Sequence, residues 1–595
     1  MHKLLKYIKW WYWLIVILIC GIVYLQVTFD LLLPEYINKI IELIGIQNKT
    51  GISQTSNIWQ QGFNMLYVTL GSVISTVIVV FLASKLGASF SKNLRSRVYE
   101  KVQSFSLEEL NKFSTASLIT RTTNDVQQIQ TVVIIILRMA ITAPIMASLG
   151  ITKIWEISKD MSLLVAIGVF AIVTLVTTIF VLAIPRFKKI QTYTDNLNLV
   201  TRENLTGLRV VRAHNAEKFE EQKFNKVNND LTNTHLFVGR VMSFMMPGMQ
   251  IVMNMLNLFI IWVGAWLISN NALGSGTFMG LGLLIQFTTY AMYIVMSFMM
   301  LTMTFIMIPR AAVSGKRISE VLETKLSIKD YGVLQTNANL ESDDLNGTIE
   351  YQNVSFKYPN AEGYVLEDIN LKINAGETVA FIGSTGSGKS TIINLIPRFY
   401  DASIGNVLIN GKNVKEYAQT DLYNMLGYVP QKALLFSGTI ATNLKMGNEN
   451  ASVDQINEAL QIAQAEEFVS KMENGINHPI SQGGKNVSGG QKQRLCIARA
   501  VIRKPQIYIF DDSFSALDYR TDRSLRKVLN EKTKNATKLI VAQRIGTIIT
   551  ADKIVVLDKG RIVAVGTHQE LIKICSIYQE MAYSQLSKEE LDYAK

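Results

Sequence analysis

Six stretches of this chain, roughly residues 11–33, 62–84, 130–153, 161–184, 243–269 and 276–308, run almost without charge. Each matches the roughly 20 residues that carry a helix across about 30 Å of hydrocarbon, so the chain reads as crossing a bilayer six times. A hydrophobic fraction of 49% beside only 18% charged residues fits a protein that lives partly in lipid. The first run follows Lys3, Lys6 and Lys9, and no small-residue cleavage site comes after it, so it is expected to stay as a span.

Orientation follows from the connections. Lys85, Lys92, Arg95, Arg97, Lys101, Lys112 and Arg121 follow the second span, and Arg186, Lys188, Lys189, Arg202, Arg209 and Arg212 follow the fourth. The opposite connections are poorer in Lys and Arg, which places both termini in the cytosol. The net charge of +12 is then explained by topology and contact with anionic membrane lipid, and no nucleic acid partner is expected. Cys20, Cys496 and Cys575 lack any spacing that indicates zinc or a disulfide framework.

Helical hydrophobic patterning stops near Pro309, and from Gly347 onward the pattern changes to short β-type runs interleaved with helices. The division read from this is a membrane domain over 1–315, a polar linker over 316–346, a soluble α/β domain over 347–585 and a tail over 586–595. The two cytosolic connections have helical patterning and far exceed an ordinary helix–helix loop. They read as spans that continue into the cytosol, with tips able to touch the soluble domain.

Gly383-Ser384-Thr385-Gly386-Ser387-Gly388-Lys389-Ser390-Thr391 follows the apolar strand Thr378–Ile382 and is a full GxxxxGK[ST] match in strand–loop–helix context. In such a loop glycines bring backbone N–H groups onto phosphates, Lys389 supplies charge to the outer phosphates, and Ser390 offers a hydroxyl to Mg²⁺. A second apolar strand, Gln506–Phe510, ends in Asp511, where a carboxylate holds Mg²⁺. Val487-Ser488-Gly489-Gly490-Gln491 then sits at a helix start, with a hydroxyl and two glycine amides suited to an anion.

That last pentapeptide resembles the signature sequence of the ATP-binding cassette family, with Val487 where leucine is commoner. The resemblance implies an exporter of the type IV layout: a six-helix all-α membrane domain with long cytosolic extensions, fused to an α/β P-loop nucleotide-binding domain. Within it Tyr358 resembles the aromatic that stacks on adenine and Gln431 the glutamine that couples Mg²⁺ to the membrane domain. Ser515-Ala516-Leu517-Asp518 resembles the D-loop, and the cofactors implied are ATP and Mg²⁺.

Two positions depart from the family pattern. Asp512 stands where the family has a glutamate base, one methylene short, and a displacement near 1 Å costs roughly a hundredfold in rate. Gln543 stands where the family has a histidine beside the γ-phosphate, and glutamine cannot carry the charge. Binding residues kept and turnover residues changed imply a degenerate site. Cassette domains pair head to tail, so the resemblance implies a heterodimer whose second half-transporter brings the glutamate and histidine, its site completed by Val487–Gln491 of this chain.

The fifth and sixth spans are crowded with methionine, from Met242 to Met307, interleaved with aromatics, a composition that repacks around varied ligands or simply packs against lipid. The expected cargo is a small amphipathic or apolar compound of the multidrug type, moved across a bacterial plasma membrane. Alternatives are a lipid or peptide exporter, or a nucleotide-sensing regulatory or channel subunit. Asp30 and Arg138 are charges inside apolar runs, which makes them candidates for function; a place near a span end also gives each a structural role.

Overall fold

In a computed structural model that describes Lys6 and residues 10–270, 277–330, 346–359 and 361–586, each apolar stretch is part of a longer helical run. The spans are Trp10–Thr50, Thr55–Gln103, Thr115–Ile157, Lys159–Thr206 and Glu217–Ser269, followed by Thr277–Glu323. At 1.5 Å per residue the 49 residues of the second reach about 74 Å, more than twice the hydrocarbon thickness. Beyond the apolar run this helix keeps going because Leu86, Phe90, Leu94 and Val98, four residues apart, form one buried stripe.

Prolines do not end these helices: Pro34, Pro144, Pro185 and Pro309 all lie inside them. The sequence reading stopped the sixth span near Pro309, but the helix continues through Glu323 and takes in the start of the stretch read as linker. Side-chain contacts hold it there. Ser314 donates to Asp125 at 2.7 Å, Arg317 pairs with Asp125 at 3.3 Å, and Arg121 pairs with Glu320 at 3.0 Å. Such packing offsets the hydrogen bond that a mid-helix proline removes. Residues 331–345 of the linker and 587–595 of the tail fall outside the described residues.

Asp30 lies well inside the first helix, which runs on to Thr50, and its carboxylate accepts from the Ser72 hydroxyl. Nearby, Lys153 pairs with Glu35 at 2.7 Å and the Tyr290 hydroxyl donates to the Leu31 carbonyl at 2.8 Å, tying the first, third and sixth spans together. Arg138 is exposed in a π-helical turn, Ile136–Ala140, which ends four residues before Pro144.

The chain divides into two compact units, Met1–Gln103 with Thr115–Thr324, and Ser104–Ser114 with Lys325–Lys595. The second unit contains twelve strands among the described residues: β1 (Ile349–Phe356), β2 (Leu366–Ile373), β3 (Thr378–Gly383), β4 (Ile404–Ile409), β5 (Lys412–Asn413), β6 (Leu426–Val429), β7 (Gly438–Thr439), β8 (Pro479–Ile480), β9 (Ile507–Asp511), β10 (Thr537–Val541), β11 (Lys553–Asp558) and β12 (Arg561–Gly566). Six form a sheet in the order β12-β11-β3-β10-β9-β6, parallel apart from β12, and β2-β1-β4-β5 form an antiparallel sheet. The central strands β3, β9 and β10 are buried almost without interruption, as a covered parallel sheet requires.

The tip of the connection between the second and third spans, Ser104–Ser114, belongs to this second unit. Its helix α1 (Leu107–Lys112) starts in a capping box made by Ser106 and Glu109. Glu109 is 1% exposed and also accepts from the Ser327 backbone at 2.8 Å, while Asn111 donates to the Tyr400 hydroxyl at 3.1 Å. The corresponding tip of the other connection, Leu208–Ala213, lies in the first unit and buries no side chain.

Candidate functional site

Register brings the candidate residues together. Asp511 pairs with Val541 across β9 and β10, Val541 pairs with Phe381 on β3, and Val429 pairs with Phe510 across β6 and β9. Four parallel strands therefore end in one row, and the residues just past those ends, Gly383 to Lys389, Gln431, Asp512 and Gln543, gather at the carboxyl edge of the sheet. Open α/β sheets bind ligands at this edge.

The phosphate loop joins β3 to helix α2 (Lys389–Asn394). A Cβ at Gly383 would run into the Leu557 carbonyl oxygen, and Gly388 has φ +99° with a Cβ position 2.7 Å from Leu366, so neither place suits a larger residue. Lys389 turns back into the loop, donating to the carbonyls of Gly383 at 2.8 Å and Ser384 at 2.7 Å. Ser390 donates to Asp511 at 2.9 Å, which sets a hydroxyl beside a carboxylate, a pair of hard oxygen ligands.

The charges fit a polyphosphate and a divalent cation. Burial pushes the Asp511 and Asp512 carboxyls up, against hydrogen bonds from Ser390 to the first and from Gln431 and Ser515 to the second. Burial likewise pushes the Lys389 ammonium down. A phosphate beside Lys389 and a cation beside the carboxylates would each restore the charge that burial disfavours.

The two departures from the family pattern meet at one atom. Asp512, in left-handed backbone at φ +48°, accepts through Oδ2 from Gln543 Nε2 at 3.0 Å and from Gln431 Nε2 at 3.3 Å. Both donors are amides, which offer hydrogen bonds but do not titrate near neutral pH, so neither can act as an acid or a base.

Tyr358 reaches the far end of the loop: its hydroxyl shares a 3.0 Å hydrogen bond with that of Thr391, and its ring stands edge-on to Tyr400 with centroids 5.2 Å apart. A cavity of about 480 Å³ opens beside these rings, lined also by Pro359, Ile328 and Ser403. The Ser488–Gln491 segment does not join this cluster. It forms a reciprocal cap at the start of helix α3 (Gly489–Val501), with Ser488 exposed.

Residues 14–298 match the model of the ABC transporter transmembrane region, and residues 366–515 match that of the ABC transporter. The chain belongs to the ABC transporter family. An uncharacterised ABC transporter ATP-binding protein of Mycobacterium tuberculosis is 39% identical over 536 residues, 89% of this chain and 90% of that one. Another from Bacillus subtilis is 35% identical over 570 residues, 95% of each chain. A bacterial Atm1-family ABC exporter solved with ATP bound has the same fold, with TM-score 0.77 at 23% identity over 95% of this chain and 97% of that one. This ABC transporter chain, a transmembrane region followed by an ATP-binding domain, is thus a multi-pass membrane protein of an ATP-hydrolysing transporter, of a kind that typically pairs with a second half.

Several contacts around the ABC site were not visible in sequence. The Ser106 and Glu109 spacing was a legible capping signal, but nothing marked Asn111 as a partner for Tyr400 or Gln585 as a partner for the Gln543 segment.

Proposed function

We propose that this chain is the degenerate half of a heterodimeric exporter of small amphipathic or apolar compounds, holding Mg²⁺-ATP at its own site and hydrolysing it slowly. The observation that carries the reading is the Asp512 carboxylate, a methylene short of glutamate and held by two glutamine amides. A base that activates water needs reach and a partner that stabilises charge on the γ-phosphate. This cluster supplies neither, while Lys389, Ser390 and Asp511 keep a full set for binding. Ser390 and Asp511 are the residues that would hold Mg²⁺, with Gln431 on the adjacent Asp512, and the ion would supply positive charge to offset that of the phosphates.

Two surfaces favour a second chain. Ser488 and Gly489 are exposed at a helix start, available to a nucleotide on a partner's phosphate loop. The tip Leu208–Ala213 buries nothing and exposes Leu208 and Val210, apolar residues that a partner domain would cover. The cargo reading draws on the sixth span, where Met292, Met296, Met300 and Met303 line one exposed face while Tyr290, Ile294, Ser297 and Thr304 are buried on another.

The test is ATP-dependent uptake of an amphipathic dye into inside-out vesicles that hold this chain with its partner, alongside steady-state ATPase. Directional uptake that survives Asp512→Ala but fails when the partner's glutamate is removed supports the reading. Uptake lost with Asp512→Ala, or nucleotide-dependent gating without accumulation, overturns it.

A further inference from the structure

The short helix α4 (Ile545–Ile548) begins two residues after Gln543, and its start has a structural problem. Its cap position is Arg544, which makes no side-chain cap and has no side-chain acceptor, so the first N–H of the helix lacks a local partner. The partner comes from forty residues away. Gln585 accepts from the Ile545 N–H through Oε1 at 2.9 Å and donates through Nε2 to the Gln543 carbonyl at 2.8 Å. One amide group thus closes a two-bond clasp across the segment.

The clasp is anchored. Gln585 follows helix α5 (Ser576–Tyr583), whose Tyr578 and Ala582 are fully buried. Backbone bonds from Gln585 and Leu586 to the Ala582 carbonyl, at 3.1 and 3.0 Å, continue that turn, and Leu586 packs on the domain core. On the other flank Arg544 donates to the Ser515 carbonyl at 3.2 Å. Between these supports lies the backbone whose Gln543 side chain holds Asp512.

We propose that Gln585 is a positioning residue for the nucleotide switch: it fixes the Gln543–Ile545 backbone, so that Gln543 keeps its amide on the Asp512 side of the site and slows release of bound ATP. This rests on the reading of Gln543 as the residue facing the outer phosphate. It places control of the switch in the C-terminal turn of the same chain, outside every nucleotide motif.

The test uses the full-length chain with its partner in lipid nanodiscs, with Mg²⁺-ATP as probe. In Gln585→Ala the Ile545 amide is expected to exchange hydrogen roughly tenfold faster, the loss of one net hydrogen bond, while the thermal midpoint stays put. ATP release from this chain's site should quicken by a factor that Gln543→Ala reproduces and the double variant does not exceed. Gln585→Glu keeps the acceptor and loses the donor, so Ile545 should stay protected while ATP release still quickens. Unchanged Ile545 exchange, additive effects in the double variant, or a fall in thermal midpoint with exchange rising throughout Ser576–Tyr583 would each overturn the proposal. Single-turnover hydrolysis of the bound ATP is read separately: rapid hydrolysis in the unmodified chain defeats the slow-site reading and leaves the Ile545 exchange result to decide Gln585.

Discussion

The phosphate loop and the Asp512 cluster lie at the same edge of the sheet, yet they are built differently. The loop is a backbone device: glycines that admit no Cβ, a buried strand before it and a lysine anchored on loop carbonyls at 2.7 and 2.8 Å. The cluster is a side-chain device, three residues from three separate loops meeting at one carboxylate oxygen. A backbone cradle binds through main-chain groups that most substitutions leave in place, whereas a side-chain cluster loses its chemistry with any one of its residues. Binding can thus persist on a scaffold whose chemistry has been altered.

The largest effect is expected from Lys389→Ala, which removes the loop's charge-assisted donor. ATP affinity should fall by about 2–3 kcal/mol, roughly a hundredfold, by equilibrium binding. Unchanged affinity would break the contrast, because the loop would not be the binding side. Gly388→Ala probes the cradle itself. Its φ of +99° and the nearness of Leu366 should cost about 1–3 kcal/mol, seen as a lower thermal midpoint of the nucleotide-free chain.

On the other side, Asp512→Ala should leave the ATPase of the complete transporter nearly unchanged, while Asp512→Glu combined with Gln543→His should raise single-turnover hydrolysis at this site about tenfold or more. A strong loss with Asp512→Ala would make both sides catalytic and end the contrast.

The smallest effect is one of pH. Burial raises Asp511 above its ordinary 3.8, so its contribution to folding is fully present below that value and is lost as pH rises through the folded value. Without Mg²⁺, Asp511→Asn should therefore lose less stability than the unmodified chain as pH climbs from 3.8. Equal slopes in thermal unfolding would show that burial does not govern this carboxyl.

Much of this was legible beforehand because the signals are local. An apolar run of span length, a glycine-rich loop between strand and helix, and a strand ending in Asp511 each carry their meaning in a few neighbouring residues. Pro309 misled for the same reason. Locally it stops a helix, but Asp125 and Glu320 hold the helix beyond it through Ser314, Arg317 and Arg121. Asp30 and Arg138 drew notice as lone charges, and their surroundings, a Ser72 hydroxyl and a π-turn, come from contacts that spacing does not encode.

By itself the sequence determined the six apolar spans, the α/β nucleotide-binding domain and the glycine-rich loop between strand and helix, since each depends on residue type and periodicity over a short window. Only the tertiary structure decided that Gln431 and Gln543 share one oxygen of Asp512, that α1 lies within the nucleotide-binding unit and that Gln585 bonds both Gln543 and Ile545. Those are meetings of residues dozens to hundreds of positions apart, fixed by strand register and by which face a packed helix buries, and no local pattern records them.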